Sequence, residues 1–588
     1  MQILLERRLT TLDQRGESSP TAVREVARLA GHTDGPESAV ELLERGLERW
    51  PEDPGIHADL AQGYARLERW PEVVAELERA LQRELSPERA AALHYFAADA
   101  EERAGHPQRA IDHYLAAGRG GFHPRHALLS ADRIAAEFGA LDQRVEALQL
   151  MVDLGDGEHR VRSLRALADI HRGPLGKPDV AVELMRELLL LEPTDLGVLR
   201  ELHRLLLKLD RTEEAKATLL AGVAHHRAWL RAEGVRSKFG RNPSGGSSRA
   251  GIDHAPVRGL RELFELLGDI DGVYLATAIL EVTAPDEIEA GHTSCDSLQA
   301  EPWPLPNPQD GKPLDLLVGD LPSSNALDLL HEGVFLLSEL PNAPKAPVDI
   351  QRARSLPSNS GVVMVARALA DALGIPQPLV FVEQGEDHEL VVAHLGATPA
   401  LIVGRKINSA PFAPRSRDLI GRALMRLATG GDYLNDPSAE PQLLGLLLGL
   451  CRALGIELPA DAFSSIRGDS PTIDRPLAEW VVKSLPDAAG RADLAQAART
   501  FAHSTDTFDP QRLRDALAMA QDRAGVVAAA DPRPALGRVL ASEGLTGERA
   551  TALLGYLLSD DHLGLRRSLG YQVALQHSEE IEFEEVPG

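Results

Sequence analysis

His388-Glu389 and His394 come nearest, in this 588-residue chain, to a metal-hydrolase pattern. Two imidazoles can hold a zinc ion, and a carboxylate beside them can activate a water. The spacing opposes that use. On a helix, residues six positions apart point about 240° away from each other, so the rings cannot share one ion. On a strand they share a face, but no third ligand stands nearby in sequence, and the residues read as flanks of an apolar strand. Other chemical signatures are absent. No Gly-x-Ser-x-Gly elbow occurs. Gly176-Lys177 and Gly311-Lys312 are each followed by proline and lack a glycine-rich lead, so neither makes a phosphate loop. Two cysteines are too few for a disulfide framework or a thiolate zinc site. Cys451, in an apolar helical run, reads as a buried small hydrophobe, and Cys295, in a polar loop, as an exposed one. The pair His225-His226 reads as a helix cap or a solvated pair. No cofactor and no metal is expected.

The elements that must position any functional residue are helices in pairs. Ala39 and Val73 are 34 positions apart, and so are Ala181 and Ala215. Each opens the same pattern, a small or β-branched residue followed at +4 by a larger apolar one and usually at +7 by a small one. The instances are Ala39/Leu43/Gly46, Val73/Leu77/Ala80, Ala110/Tyr114/Ala117, Ala181/Met185/Leu188 and Ala215/Leu219/Gly222. Pro51 and Pro193 close two of the units at +12. A unit around Val145 and Val152 is the faintest. Such a period with helical spacing inside it predicts an α-solenoid of helix pairs. The pattern resembles the tetratricopeptide repeat. That resemblance implies a concave groove, lined by the first helix of each pair, that holds another protein and does no chemistry. The expected groove residues are His57, Gln62, Arg66, His94, Glu101 and Arg200.

The second half changes character. Leu327 to Leu340 and Val362 to Leu373 read as helices. Leu379-Val-Phe-Val382 and Glu389-Leu-Val-Val-Ala393 read as strands joined by a polar turn, Ala400-Leu-Ile-Val403 reads as a third strand, and the chain is helical from Ser416 nearly to its end. Leu373-Gly-Ile-Pro376, Leu379 to Val382, Pro399-Ala-Leu-Ile-Val-Gly404 and a helix near Arg417 to Leu427 are together similar to the HtpX-like zinc metallopeptidases. In that family a helix and small sheet lead into a helix bearing His-Glu-x-x-His. Aligned on Gly421, those positions hold Arg422, Ala423 and Arg426. Ala518-Met-Ala-Gln-Asp522-Arg-Ala-Gly525 is similar to the segment that supplies the third ligand; Ala518 stands at the ligand position, while Asp522 and Arg523 are kept. The resemblance therefore implies a peptidase scaffold emptied of ligands and base, since an arginine of pKa about 12 or above cannot bind zinc at neutral pH. Asp522 and Arg523 then read as a salt bridge pinning two helices, with Arg422 or Arg426 as partner.

Composition bounds the partners. The formal charge of -26 opposes nucleic acid, whose phosphates an acidic field repels, although Arg415, Arg417, Arg422 and Arg426 read as a local basic patch. No apolar run approaches bilayer length and the first residues lack a signal-peptide order, so no membrane contact and a cytoplasmic location are expected. The expected fold is mainly α, an N-terminal tetratricopeptide-like α-solenoid followed by an α+β, mostly helical domain with a small sheet. The expected boundaries are repeats over 1–230, a loop and further helix pair over 231–284, a linker over 285–320, the α+β domain over 321–575 and an acidic tail over 576–588. The favoured function is a scaffold or adaptor with a protein or peptide partner. A hydrolase using His388, Glu389 and His394, and a regulator of a signalling partner, are the alternatives.

Overall fold

The computed structural model describes residues 11, 19–155, 157–233, 254–285, 294–298, 303–307, 313–333, 336, 353–383, 389–395, 398–430, 440–458, 462–463, 473–485, 491–505, 508–544 and 547–573. It divides into two compact units, Met1–Thr218 and Leu219–Gly588. The acidic tail and His388 lie outside the described residues, as does the side chain of His394.

The first unit is a stack of antiparallel helix pairs: α1 Pro20–Thr33 with α2 Pro36–Arg49, α3 Pro54–Arg66 with α4 Trp70–Leu81, α5 Pro87–Ala104 with α6 Pro107–Arg119, α7 Pro124–Phe138 with α8 Leu141–Asp153, α9 Gly157–Arg172 with α10 Pro178–Leu191, and α11 Leu196–Lys208 with α12 Thr212–Glu233. The second unit begins within α12. The ends of these helices are written locally. Proline in the first turn costs no hydrogen bond there and presets φ. First helices are also capped by side chains: Asp53 accepts from the Ile56 N–H at 2.8 Å and Asp195 from the Val198 N–H at 3.1 Å, while Ser19 and Ser86 serve α1 and α5 in the same way.

The recurring small residue has one structural meaning. Ala39, Val73, Ala110, Ala181 and Ala215 are each the fourth residue of a second helix, and all are buried. The faint unit obeys the same rule one position earlier than the sequence pattern suggests. The fourth residue of α8 is Arg144, followed by buried Leu148 and Met151, while Val145 is only half-buried. A guanidinium is tolerated in that slot because Asp132 on α7 accepts from its Nε at 2.9 Å. Between these slots runs a seam of alanine and leucine, each fully buried leucine contributing roughly 1.5–3 kcal/mol.

The second unit continues with α13 Ala255–Leu267, α14 Ile270–Thr283, α15 Cys295–Leu298, α16 Pro313–Val318, α17 Ser324–Gly333, β1 Arg354–Ser355, α18 Gly361–Ala372, β2 Leu379–Val382, β3 Leu390–Leu395, β4 Thr398–Val403, α19 Arg405–Ser409, α20 Pro414–Thr429, α21 Glu440–Ala453, α22 Arg475–Ser484, α23 Ala492–Ala502, α24 Pro510–Ala529, α25 Arg533–Glu543, α26 Glu548–Leu557 and α27 Asp560–Ser568. The sheet order is β1-β2-β4-β3. Sequence reading made β2 and β3 neighbours across a turn; instead β4 lies between them, parallel to β2 and antiparallel to β3. The reason is burial: from Ala400 to Val403 every residue of β4 is buried, as suits a strand covered on both faces.

Three further expectations change. Arg417 and Arg422 do not form a basic surface patch, because α20 turns them inward, Arg417 to 0% exposure. His226 is buried, its Nδ1 bonded to the Gly222 carbonyl, and only His225 meets solvent. Cys295 is fully buried on α15 beside the Tyr274 carbonyl. Burial pushes both thiols up, Cys451 to about 12. Neither thiol should therefore react with iodoacetamide in the folded protein near pH about 8, where a free thiol is partly ionised, and both should react in urea. Fast native labelling of Cys295 would contradict its placement.

The stretch read as a linker is, where described, part of the second unit's packing. Trp303 stacks edge-on to Tyr274 and Tyr571, with the Arg566 guanidinium 5.0 Å from its ring. No helix among the described residues is long and apolar enough to cross a membrane.

Candidate functional site

Two places collect the residues singled out by sequence. The first is the face of the solenoid formed by first helices. Successive first helices flank one another, so their exposed sides build shared recesses. One, between α1 and α3, is lined by Arg24, Arg28, Asp59, Gln62 and Arg66. Another, of about 390 Å³ between α9 and α11, is lined by Arg165, Asp169, Arg172, Arg200, Glu201 and Arg204. The lining charge is positive in both, on a chain whose net charge is -26. Between these recesses in sequence, Tyr95 on α5 contacts the rings of Phe96, Phe122, His123 and His126, and Phe96 is 54% exposed.

Of the six expected groove residues, Gln62, Arg66 and Arg200 line these recesses. His57 and Glu101 do not reach the surface. His57 faces two acceptors, its Nδ1 2.6 Å from a Glu76 carboxylate oxygen and its Nε2 2.9 Å from the Pro51 carbonyl. Glu101 is 0% exposed and bonds His106 Nδ1 at 2.7 Å and Arg109 Nη1 at 3.3 Å. His94 is part-buried with its Nδ1 2.9 Å from Nδ1 of His113. The pattern explains this split: side chains three or four apart share a helix face, so polar residues on a first helix divide between seam and groove. Asp59, Arg165 and Arg204 were missed, although their spacing from Gln62, Asp169 and Arg200 carries the signal.

The second place is the crossing of α20 and α24. Gly421 lets the helices touch, since a Cβ there would land on Ala528 Cβ and stand 2.6 Å from the Ala524 carbonyl oxygen. The crossing brings the expected vestigial positions together. Arg422 pairs with Asp522, and Arg426 Nε bonds Gln521 at 3.2 Å. Asp522 carries more than the one expected partner: Arg538 Nη1 reaches it at 2.8 Å and Arg549 Nη2 at 2.6 Å. Arg538 also forks onto Asp418 at 2.9 and 3.1 Å. Arg523 turns the other way, to Asp320 and the Leu317 carbonyl, its guanidinium 4.4 Å over the Tyr556 ring. Ala423 is buried on α20, and Ala518 lies on α24. A cluster of three guanidinium groups around two buried carboxylates repels a metal cation and offers no lone pair on nitrogen to bind one. Glu389, from the other histidine motif, pairs at the surface with Arg415.

No family model matches this chain, and no curated protein matches it. Among solved structures it is similar to YrrB, described as a TPR protein with an unusual peptide-binding site, at 14% identity over 33% of this chain and 96% of that one, with a TM-score of 0.23. It is similar to a thermophilic TPR protein of Thermus thermophilus, at 20% identity over 32% and 100%, with a TM-score of 0.18. A tetratricopeptide repeat protein from Parabacteroides merdae matches at 11% identity over 45% and 93%, with a TM-score of 0.21. At scores this low the likenesses carry no weight; the repeats are the helix pairs themselves.

Proposed function

We propose that this chain is a non-enzymatic scaffold whose first-helix face holds an extended, acidic segment of a partner protein. The observation that carries the proposal is the pair of arginine-lined recesses between successive first helices, on a chain that is otherwise strongly acidic. Such a face attracts carboxylates and disfavours basic segments. Gln62, Arg66, His94 and Arg200 are proposed as contacts, and the ring cluster around Tyr95 supplies apolar area. The residues 1–230 are the proposed binding arm.

For residues 321–575 the proposed reading is a peptidase-like scaffold without its metal. Its support is the adjacency of α20 and α24, which carry Arg422, Ala423, Arg426, Ala518 and Asp522, behind a helix and a small sheet. The test uses the full chain and fluorescent peptides of matched length. Acidic peptides should bind in preference to basic ones at low salt and weaken as salt rises past physiological strength. The double variant Arg66→Glu, Arg200→Glu should bind them roughly 10-fold or more weakly, given contributions of about 1 kcal/mol or more per lost charge pair. Equal binding of acidic and basic peptides, or unchanged binding by the variant, would sink the reading. Cleavage of the peptides would favour the hydrolase instead.

A further inference from the structure

We propose that Glu78, Glu101 and His113 form a site for one divalent transition-metal ion of the zinc or cobalt kind, built where the second and third helix pairs meet. The three residues come from three helices, α4, α5 and α6, and each offers one ligand atom to a common point, with those atoms within 4.8 Å of one another. Side-chain shifts of under about 1 Å bring all three to the roughly 2.0–2.2 Å bonds that zinc makes with nitrogen and oxygen. Two carboxylates and an imidazole suit first-row ions rather than calcium or magnesium, which prefer oxygen alone.

A comparison inside the chain argues against an ordinary polar core. Residues 19 apart, one on each helix of a pair, meet in an equivalent slot of the second and third pairs. In the second pair that slot is closed, since His57 commits both ring nitrogens, one to Glu76 and one to the Pro51 carbonyl. In the third pair it holds two imidazoles, His94 and His113, facing each other Nδ1 to Nδ1 at 2.9 Å. The second ring nitrogen of each has no hydrogen-bond partner among the described residues. With His113 donating from Nδ1 to His94, its Nε2 keeps the lone pair a metal needs and its ring is held in place, as outer partners of metal-bound histidines do.

The charge balance agrees. Glu78 and Glu101 carry two negative charges; Arg109, 3.6 Å from Glu78 and 3.3 Å from Glu101 Oε1, offsets one, and a bound ion would share Glu101 with His106, whose Nδ1 is 2.7 Å from Oε2. The remaining negative charge sits beside a fully buried carboxylate. A dication there is attracted, and it joins the second pair to the third through bonds that no apolar seam supplies.

The test uses the full chain stripped of metal with a chelator. Cobalt(II) should bind at one equivalent with visible absorption from an ordered coordination sphere, zinc(II) should displace it, and zinc should raise the unfolding temperature of the solenoid. His113→Ala and Glu78→Gln should each weaken binding roughly 100-fold or more, at or beyond the loss seen for supporting residues of known sites. His225→Ala, at an exposed helical position, should keep it. Glu78 is half-buried and glutamine keeps its size, so that arm is read even where His113→Ala does not fold. Absence of a stoichiometric ion in the wild-type chain, or an equivalent retained by a folded Glu78→Gln, would overturn the proposal.

Discussion

Asp522→Asn unfolds the crossing of α20 and α24 at a cost of about 3–5 kcal/mol, the range for removing one partner of a buried charge pair. The carboxylate is 2% exposed and accepts from Arg422, Arg538 and Arg549. The substitution removes the charge that these three guanidinium groups share, while Arg538 keeps its bonds to Asp418; Arg422, the most buried of the three, has the least access to water as a replacement. Asparagine keeps shape and one acceptor, so the loss reports charge rather than volume. The measurement is amide exchange followed along the chain. Amides of α20 and α24 should lose protection in parallel with a lower urea midpoint, while amides of the solenoid keep theirs. A midpoint shift worth less than about 1 kcal/mol would mean that water at the partly exposed Arg538 and Arg549 replaces the carboxylate in full.

Arg417→Met carries the second large effect. This guanidinium is fully buried, and its partners are neutral: the carbonyls of Ala528, Trp303 and Pro304 at 2.8, 3.1 and 2.9 Å, and the Tyr571 hydroxyl. Burial lowers its pKa, yet a guanidinium starts so high that it stays charged. Methionine fills most of the volume and leaves three acceptors without donors, each costing about 1–3 kcal/mol. The expected loss is about 3–5 kcal/mol, and Arg417→Lys should recover little, because an ammonium cannot reach four acceptors spread around a planar fork. The exchange pattern distinguishes this variant from the first: protection should fall around residues 303–307 and 571–573, which Arg417 ties to the end of α24. A lysine variant as stable as the wild type would show that the carbonyls find other donors.

The solenoid was legible because its period is enforced by a steric slot that five second helices fill with alanine or valine. Arg144 hid the remaining one, since a charged residue in that slot is allowed only by Asp132, a partner on another helix. The strands were legible as apolar runs, but their order was not. That β4 lies between β2 and β3 is decided by burial on both faces, which a local pattern cannot separate from burial on one. The pairing of Asp522 with Arg422 followed from bringing two segments 100 positions apart into register. Arg538 and Arg549 were invisible there, because nothing local marks an arginine on a later helix as turned inward. Glu78, Glu101 and His113 lie on three helices with no motif spacing, and only the packing of consecutive pairs unites them.

The slots and seams of the solenoid also set how it answers to force. Neighbouring pairs are held by narrow seams of small apolar side chains, and at the rim by partly or well exposed ion pairs that reach from one repeat to the next, such as Arg24–Asp59, Glu102–Arg133, Arg119–Glu146 and Arg165–Asp195. Each rim pair is worth about 1 kcal/mol or less and exchanges readily with water. Tension along the stack therefore acts first on the rim, opening and reclosing contacts while the seams hold, so the array stretches reversibly before any pair comes apart. Among the described residues the first five pairs pack mainly on their neighbours, so rupture then advances by one pair at a time. Such a chain absorbs mechanical work in small steps, as a spring does, where a globular domain of the same size would give way at once.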